Sequence, residues 1–171
     1  FKHSEDTVHS QFEFFEELKK DCEEKIKGLK QQIDDSSIVS VHIRLGDYKI
    51  LEHVFFPLIK TKYYTDAMAT ISEKTDNKHA IMIFSDELDV CKQIFKGNNI
   101  AFAEGGTPEQ DMCLMSMCDH NIIANSSFSW WAAWLNKNKD KTIVAPKQWF
   151  IPDEKNPKDT KDLYCDGWEL I

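Results

Sequence analysis

Between residues 38 and 145 the chain repeats one pattern, a short apolar run followed by a stretch with helical spacing. Ile38 to Ile43, Ala80 to Phe84, Ile100 to Phe102, Asn121 to Ala124 and Thr142 to Ala145 have the length and composition of strands. Thr61 to Glu73, Leu88 to Lys96, Pro108 to Cys118 and Ser127 to Asn136, which lie between and beside them, have the spacing of helices. Strands joined through helices cannot pair as hairpins. Each connection is a crossover, so the pattern predicts an α/β fold: a doubly wound, mostly parallel sheet with helices on both faces. Such sheets bind ligands beyond the carboxyl ends of their strands. The residues just past each strand are therefore the place to look for function.

The flanks complete the layout. Phe12, Phe15, Leu18, Cys22, Ile26, Leu29 and Ile33 recur at spacings of three and four, which predicts one long amphipathic helix from Ser4 to about Ile33. Residues 1–35 are thus a helix or linker, 38–145 the sheet core, and 146–171, with Pro152, Pro157 and many Lys and Asp, an irregular tail. The chain opens on Phe1 and has no signal-peptide pattern, and it reads as a piece of a longer protein.

Composition narrows the possible partners. The net charge of -8 argues against a general binder of nucleic acid or anionic membrane, so any anion site must be local. No apolar run reaches the roughly 18 to 20 residues that span a bilayer. Five cysteines, an odd number with no C-x-x-C pair, support neither a disulfide framework nor a zinc site and read as reduced core thiols. Of the 21 basic residues only Arg44 is an arginine.

That arginine comes right after the first strand, in Val41-His42-Ile43-Arg44-Leu45-Gly46-Asp47-Tyr48. A guanidinium presents a rigid fork of donors to phosphate oxygens and keeps its charge, which favours anion recognition over a structural salt bridge. Asp47 has two uses: accepting backbone N–H bonds or pairing with Arg44. After the second strand, Ser85 and Asp86 suit either a helix N-cap or contact with a ligand hydroxyl. After the fourth, Asn125-Ser126-Ser127-Phe128-Ser129 opens a helix with more hydroxyls than a cap requires, a cradle for phosphate at the positive end of the helix dipole. The glycosylation sequon at Asn125 is discounted because it falls in the expected cleft. Trp130, Trp131 and Trp134 are expected to pack in the core or against a second domain. Asp111 suits either a helix N-terminus or the N1–H and exocyclic amine of a guanine.

Taken in order, the motifs resemble a known family. His42 to Tyr48, Phe84-Ser85-Asp86, Leu114-Met115-Ser116 with Cys118 and His120, the run from Ile122 through Trp130-Trp131 to Leu135, Ala145 to Phe150 and Gly167-Trp168 are similar to the α-1,2-fucosyltransferases of glycosyltransferase family 11. The likeness covers the chain from Val39 onward. It implies the Rossmann-like C-terminal half of a two-domain GT-B enzyme that binds GDP-fucose without a metal or other cofactor and transfers L-fucose, with inversion, to a galactose hydroxyl of a glycan acceptor.

By the same resemblance Arg44 contacts the donor diphosphate and carries leaving-group stabilisation with the helix start at Ser126 to Ser129. His42 lies by the guanine or ribose, Asp111 binds the guanine edge, and Ser126, Ser127 and Phe128 line the diphosphate and fucose, with Asp47, Ser85 and Asp86 in support. Two departures stand out. Leu45 replaces a second basic residue common in the family, and the glycine-rich N-terminal segment is absent, with it the acceptor-binding domain. A GDP-sugar-binding module without transfer activity is therefore the alternative, and a flavodoxin- or receiver-like domain, suggested by Asp86 and Asp47, a more distant one. Lysine usage and unpaired cysteines point to a bacterial cytoplasmic or membrane-associated enzyme, with the Golgi lumen as the other location.

Overall fold

The computed structural model describes residues 5–32, 36–155 and 157–171. Helices α1 (Glu5–Gln11) and α2 (Glu16–Gln32) precede β1 (Ser37–Ile43). Next come α3 (Tyr63–Lys74), β2 (His79–Ser85), α4 (Leu88–Ile94), β3 (Ile100–Phe102), α5 (Pro108–Met117), β4 (His120–Ile122), α6 (Ser127–Leu135), β5 (Ile143–Ala145) and β6 (Glu169–Leu170). All six strands pair in parallel, in the order β3-β2-β1-β4-β5-β6. This is the doubly wound α/β fold that the alternating runs predict.

Successive side chains of each strand supply opposite faces of the sheet, as a period of two requires. Val39, Val41, Ile43, Ile81 and Ile83 pack with Tyr64, Ala67 and Ile71 of α3 and Cys91 of α4. Ile38, Met82 and Phe84 pack on the other side with Cys22 of α2 and Cys113, Leu114 and Met115 of α5. Both faces of the central strands are thus apolar, which is why they read as continuous runs. One buried polar cluster inside the sheet is held by its own hydrogen bonds. Asn121 on β4 donates to Ser40 Oγ and the Met115 carbonyl, both at 2.7 Å, and accepts from Asn136 Nδ2 at 2.7 Å. These bonds pin β4 against β1 in register, Ser40 opposite Asn121. Cys22, Cys91, Cys113 and Cys118 are buried free thiols, and Cys165 is half-buried.

Two expectations are corrected. The single N-terminal helix is broken at residues 12–15. Three phenylalanines there are mediocre helix formers, and the tertiary contacts they make differ. Phe12 stacks on Trp131 at 4.6 Å, Phe14 packs into the α2–α5 core, and Phe15 stays exposed although it fell on the apolar stripe. His9 of α1 stacks on Trp134 at 3.7 Å, so α1 folds over the tryptophan helix instead of extending α2. The expected ends of that helix, Ser4 and Ile33, lie outside the described residues. The second correction concerns the tail. It is irregular over most of its length but returns to the sheet as β6, where Ile171 N donates to the Ala145 carbonyl at 3.0 Å.

Strand order fixes where a ligand crevice opens. From β1 the chain builds outward to β2 and β3, then restarts on the other side with β4, β5 and β6. The connections leaving β1 and β4 diverge, so their carboxyl ends flank the topological switch point.

Candidate functional site

A cavity of about 790 Å³ lies at that point, lined by residues from the ends of β1, β2, β4 and β5 and the start of α5. It gathers His42, Arg44, Asp47, Ser85, Asp86, Asp111, Ser126, Ser127 and Phe128, which the strand-end reading and the resemblance single out, but not Ser129. A second cavity of about 730 Å³ lies between α2 and the C-terminal ends of α5 and α6. It sits at the opposite edge of the sheet and brings together none of these groups.

Arg44 is anchored by two carboxylates. Its Nε donates to Asp47 Oδ1 at 2.9 Å, and Nη1 lies 3.2 Å from Asp86 Oδ2. Arg44 is thus salt-bridged on two sides and also lines the cavity. Asp86 does more than pair with it. Its Oδ1 accepts from Leu45 N and its Oδ2 from Gly46 N, both at 3.0 Å. It neither caps α4 nor stands free for a ligand hydroxyl, because it ties the β1 loop to the end of β2. Gly46 allows this approach, since a Cβ there would stand 2.6 Å from Asp86 Oδ2. Ser85 Oγ accepts from Glu87 N at 3.1 Å, a local turn and not a helix cap. Leu45 points inward and is 7% exposed, so this position, where the resemblance leads one to expect a basic side chain, belongs to the core.

At the β2 side of the cavity are two buried polar atoms without a partner, His42 Nδ1 and Asp111 Oδ1. Burial pushes the His42 imidazole down to about 4, so it is neutral near pH 7. Burial raises the Asp111 carboxyl to about 6, with Lys25 opposing the shift. The capping of α5 does not involve Asp111: Thr107 and Gln110 close a reciprocal capping box. Gly106 leaves room for the carboxylate, as a Cβ there would lie 2.7 Å from Asp111 Oδ1. A buried acceptor with no donor points to a ligand that brings one.

The middle of the cavity is the start of α6. Ser126 is the N-cap residue, but its side chain makes no capping bond, so the first N–H groups of the helix and the Ser126 and Ser127 hydroxyls are unclaimed by a cap. Ser129 is a correction: 1% exposed, it accepts from Ala124 N at 3.2 Å and donates to the Ser126 carbonyl at 3.3 Å. It shapes the turn and cannot reach a ligand. Asn125 is likewise consumed, donating to the carbonyls of Phe56 and Trp149 at 3.0 and 2.8 Å. A 2% exposed amide so engaged is no glycan acceptor. Phe128 packs at 5.5 Å from the His42 ring.

The β5 side is aromatic, and the sequence reading gave it no site role, although Tyr48, Trp149 and Phe150 fall within the motifs that carry the resemblance. Tyr48, Leu51, Phe55, Trp149 and Phe150 line it. Tyr48 stacks on Phe55 at 4.2 Å, and Phe55 bridges to Phe150 in antiparallel fashion. Trp149 and Phe150 come soon enough after the fifth strand that the strand-end rule applied to β5 would have found them.

A doubly wound sheet whose switch-point cleft collects one arginine, an uncapped helix start and three unpartnered buried polar atoms, those of His42, Asp111 and Trp149, defines a Rossmann-like α/β domain with a polar cleft at its switch point. Residues 1–171 match the family model for glycosyl transferase family 11, and the chain belongs to that family. It is 42% identical over 141 residues to an alpha-1,2-colitosyltransferase of Escherichia coli, covering 78% of this chain and 48% of that protein. It is 32% identical over 169 residues to the O-antigen biosynthesis glycosyltransferase WbnK of Escherichia coli, covering 95% of this chain and 54% of that one. The chain thus spans about half the length of the curated relatives it matches. Among solved structures it is similar to the fucosyltransferase NodZ from Bradyrhizobium, with a TM-score of 0.45 and 19% identity over 82% of this chain and 46% of that one.

Proposed function

We propose that this chain is the donor-binding half of an inverting, metal-independent fucosyltransferase that moves L-fucose from GDP-fucose to a galactose hydroxyl of a glycan, forming an α-1,2 linkage. The observation that carries the reading is the union in one cleft of Arg44, the uncapped start of α6 and the unpartnered acceptor of Asp111. Guanine offers N1–H and an exocyclic amine to a carboxylate. As the sugar leaves, negative charge grows on the diphosphate. Fixed donors aimed there stabilise the transition state more than the ground state, and Arg44 with the α6 N–H groups and the Ser126 and Ser127 hydroxyls are such donors. That set needs no metal ion. The acceptor site and the general base belong, on this reading, to a domain outside this chain, and the enzyme to a bacterial cytoplasm or its membrane surface.

Two refinements come from the relatives. A relative 42% identical is named for colitose, which lacks the 3-hydroxyl of fucose, so the 3-deoxy sugar is the second donor to test. A span of half the relatives' length supports a module that binds GDP-sugar without transferring it. Calorimetric titration with GDP, GDP-fucose and GDP-colitose, beside incubation of the chain with GDP-fucose and lactose, separates these readings. Binding with transfer supports a complete catalyst, and binding alone supports the module. Failure to bind GDP refutes the donor-site reading.

A further inference from the structure

We infer that the aromatic end of the cavity, with Trp149 as its hydrogen-bond donor, receives the hexosyl group of the nucleotide sugar; this rests on the donor-site reading above. Strand order sets the direction. Asp111 stands in the first turn of α5, the helix that follows the edge strand β3, Ser85 beyond β2, Arg44 beyond β1, Ser126 and Ser127 beyond β4, and Trp149 and Phe150 beyond β5, so the cleft runs from carboxylate to arginine and hydroxyls to aromatics. A nucleoside diphosphate sugar is linear in the same sense: base, ribose, diphosphate, sugar. With the diphosphate at the central donors, base and sugar must take the two ends.

Complementarity decides which end is which. The unpartnered atom beside α5 is an acceptor, Asp111 Oδ1, whereas Trp149 Nε1 is a donor, 5% exposed as a residue and with no hydrogen-bond partner. A guanine edge brings donors for the carboxylate, and a sugar hydroxyl brings an acceptor for the indole N–H. The other polar groups at the aromatic end are committed. The Tyr48 hydroxyl donates to the Asn125 carbonyl at 2.6 Å, and the Asn125 amide serves Phe56 and Trp149. The Asn125–Trp149 bond, with Phe56 N donating to the Trp149 carbonyl at 3.0 Å and Ile151 N to the Val54 carbonyl at 2.8 Å, holds the indole backbone to both neighbouring loops. What remains is apolar ring surface. That suits the C–H face and methyl group of a 6-deoxyhexose.

Trp149→Phe keeps an aromatic ring in place and removes the N–H. Titrated with GDP it should bind within twofold of wild type, while its affinity for GDP-fucose falls about five- to tenfold, the worth of one hydrogen bond. Independently of how the variant folds, the Trp149 Nε1–H resonance of the ¹⁵N-labelled wild-type chain should shift on adding GDP-fucose and stay in place with GDP. Equal effects of the substitution on both ligands, or an indole resonance indifferent to the sugar, overturn the inference while leaving GDP binding intact. A wild-type chain that binds no GDP refutes the donor-site reading, and the inference with it.

Discussion

The tie between Asp86 and the β1 loop gives a stability prediction that needs no ligand. Asp86→Ala strands the Leu45 N–H, which is buried with its residue at 7% exposure, and releases the Gly46 N–H to water. An unsatisfied buried donor and a lost charge-assisted bond together cost about 2–4 kcal/mol, with the exposed Arg44 pair adding little. For a chain of this size that lowers Tm by about 5–15 °C. Gly46→Ala attacks the same tie from the other side, because its Cβ would stand 2.6 Å from Asp86 Oδ2 and 3.3 Å from Cγ and force the carboxylate away. The backbone at Gly46 has φ -44°, outside the left-handed region, so the cost is the clash and not the conformation. The two substitutions must therefore be strongly non-additive: Gly46→Ala should cost about 2 kcal/mol in wild type and under about 0.5 kcal/mol once Asp86 is alanine. Urea unfolding of the four proteins of this cycle measures the coupling. Additive losses, or an Asp86→Ala chain that melts within about 1 °C of wild type, refute the claim that this carboxylate holds the loop.

The same geometry has three further testable outcomes. Arg44→Lys keeps the charge but loses the planar fork, and GDP affinity should fall at least about tenfold by calorimetry; an unchanged Kd removes the bidentate role. Base recognition by Asp111 requires its carboxylate, raised by burial to about 6, so GDP affinity should fall about tenfold per pH unit below that value, and Asp111→Asn should abolish the slope. His42 is held neutral by burial, down to about 4 from 6.5, so the unfolded chain binds the proton more tightly and stability drains as pH falls through that window, by up to about 3 kcal/mol at its foot. Asp111 acts with the opposite sign, since protonation relieves its buried charge. Denaturant titrations between pH 7 and 4.5 should therefore show a steeper acid loss in Asp111→Asn than in wild type and a flatter one in His42→Leu.

The parallel sheet was legible because its central strands are buried on both faces and appear as short, mostly apolar runs between helical stretches. β6 was not, since two residues, Glu169 and Leu170, carry no periodicity and pair only because the Ala145 carbonyl is there to accept. The break between α1 and α2 was equally hidden. No glycine or proline marks it, and the stacking of His9 and Phe12 on Trp134 and Trp131 involves residues far down the chain. At the site, the rule that ligands bind past the strand ends found Arg44, Ser85, Asp86, Ser126 and Ser127, because polar residues at an apolar run's end are conspicuous, while His42, inside β1, came from the family resemblance. It passed over Trp149 and Phe150, since after Pro146 the aromatic pair looks like the start of a surface tail. Which hydroxyls are free and which are spent, Ser126 against Ser129, depends on bonds that only folding creates.

The same distinction explains why one position among 21 basic residues holds arginine. Arg44 stands between two carboxylates that its own loop and the end of β2 place there, one at Nε and one at Nη1. An ammonium in that position would collapse onto the nearer pair as a point charge. A guanidinium has five N–H donors spread around a plane, so two edges can hold the loop while Nη2, at the remaining corner, still offers donors. The arrangement also limits how strongly the centre attracts an anion. Asp47, Asp86 and Asp111 line the same cavity, and with Arg44 as the lone cation among its lining residues the formal balance is negative at neutral pH when Asp111 is ionised. Long-range attraction therefore cannot deliver a diphosphate here. On the donor-site reading proposed above, recognition comes from short, directed donors, the Arg44 fork and the α6 N–H groups, which makes the geometry that Asp86 and Gly46 maintain a condition of anion binding and not an accessory to it.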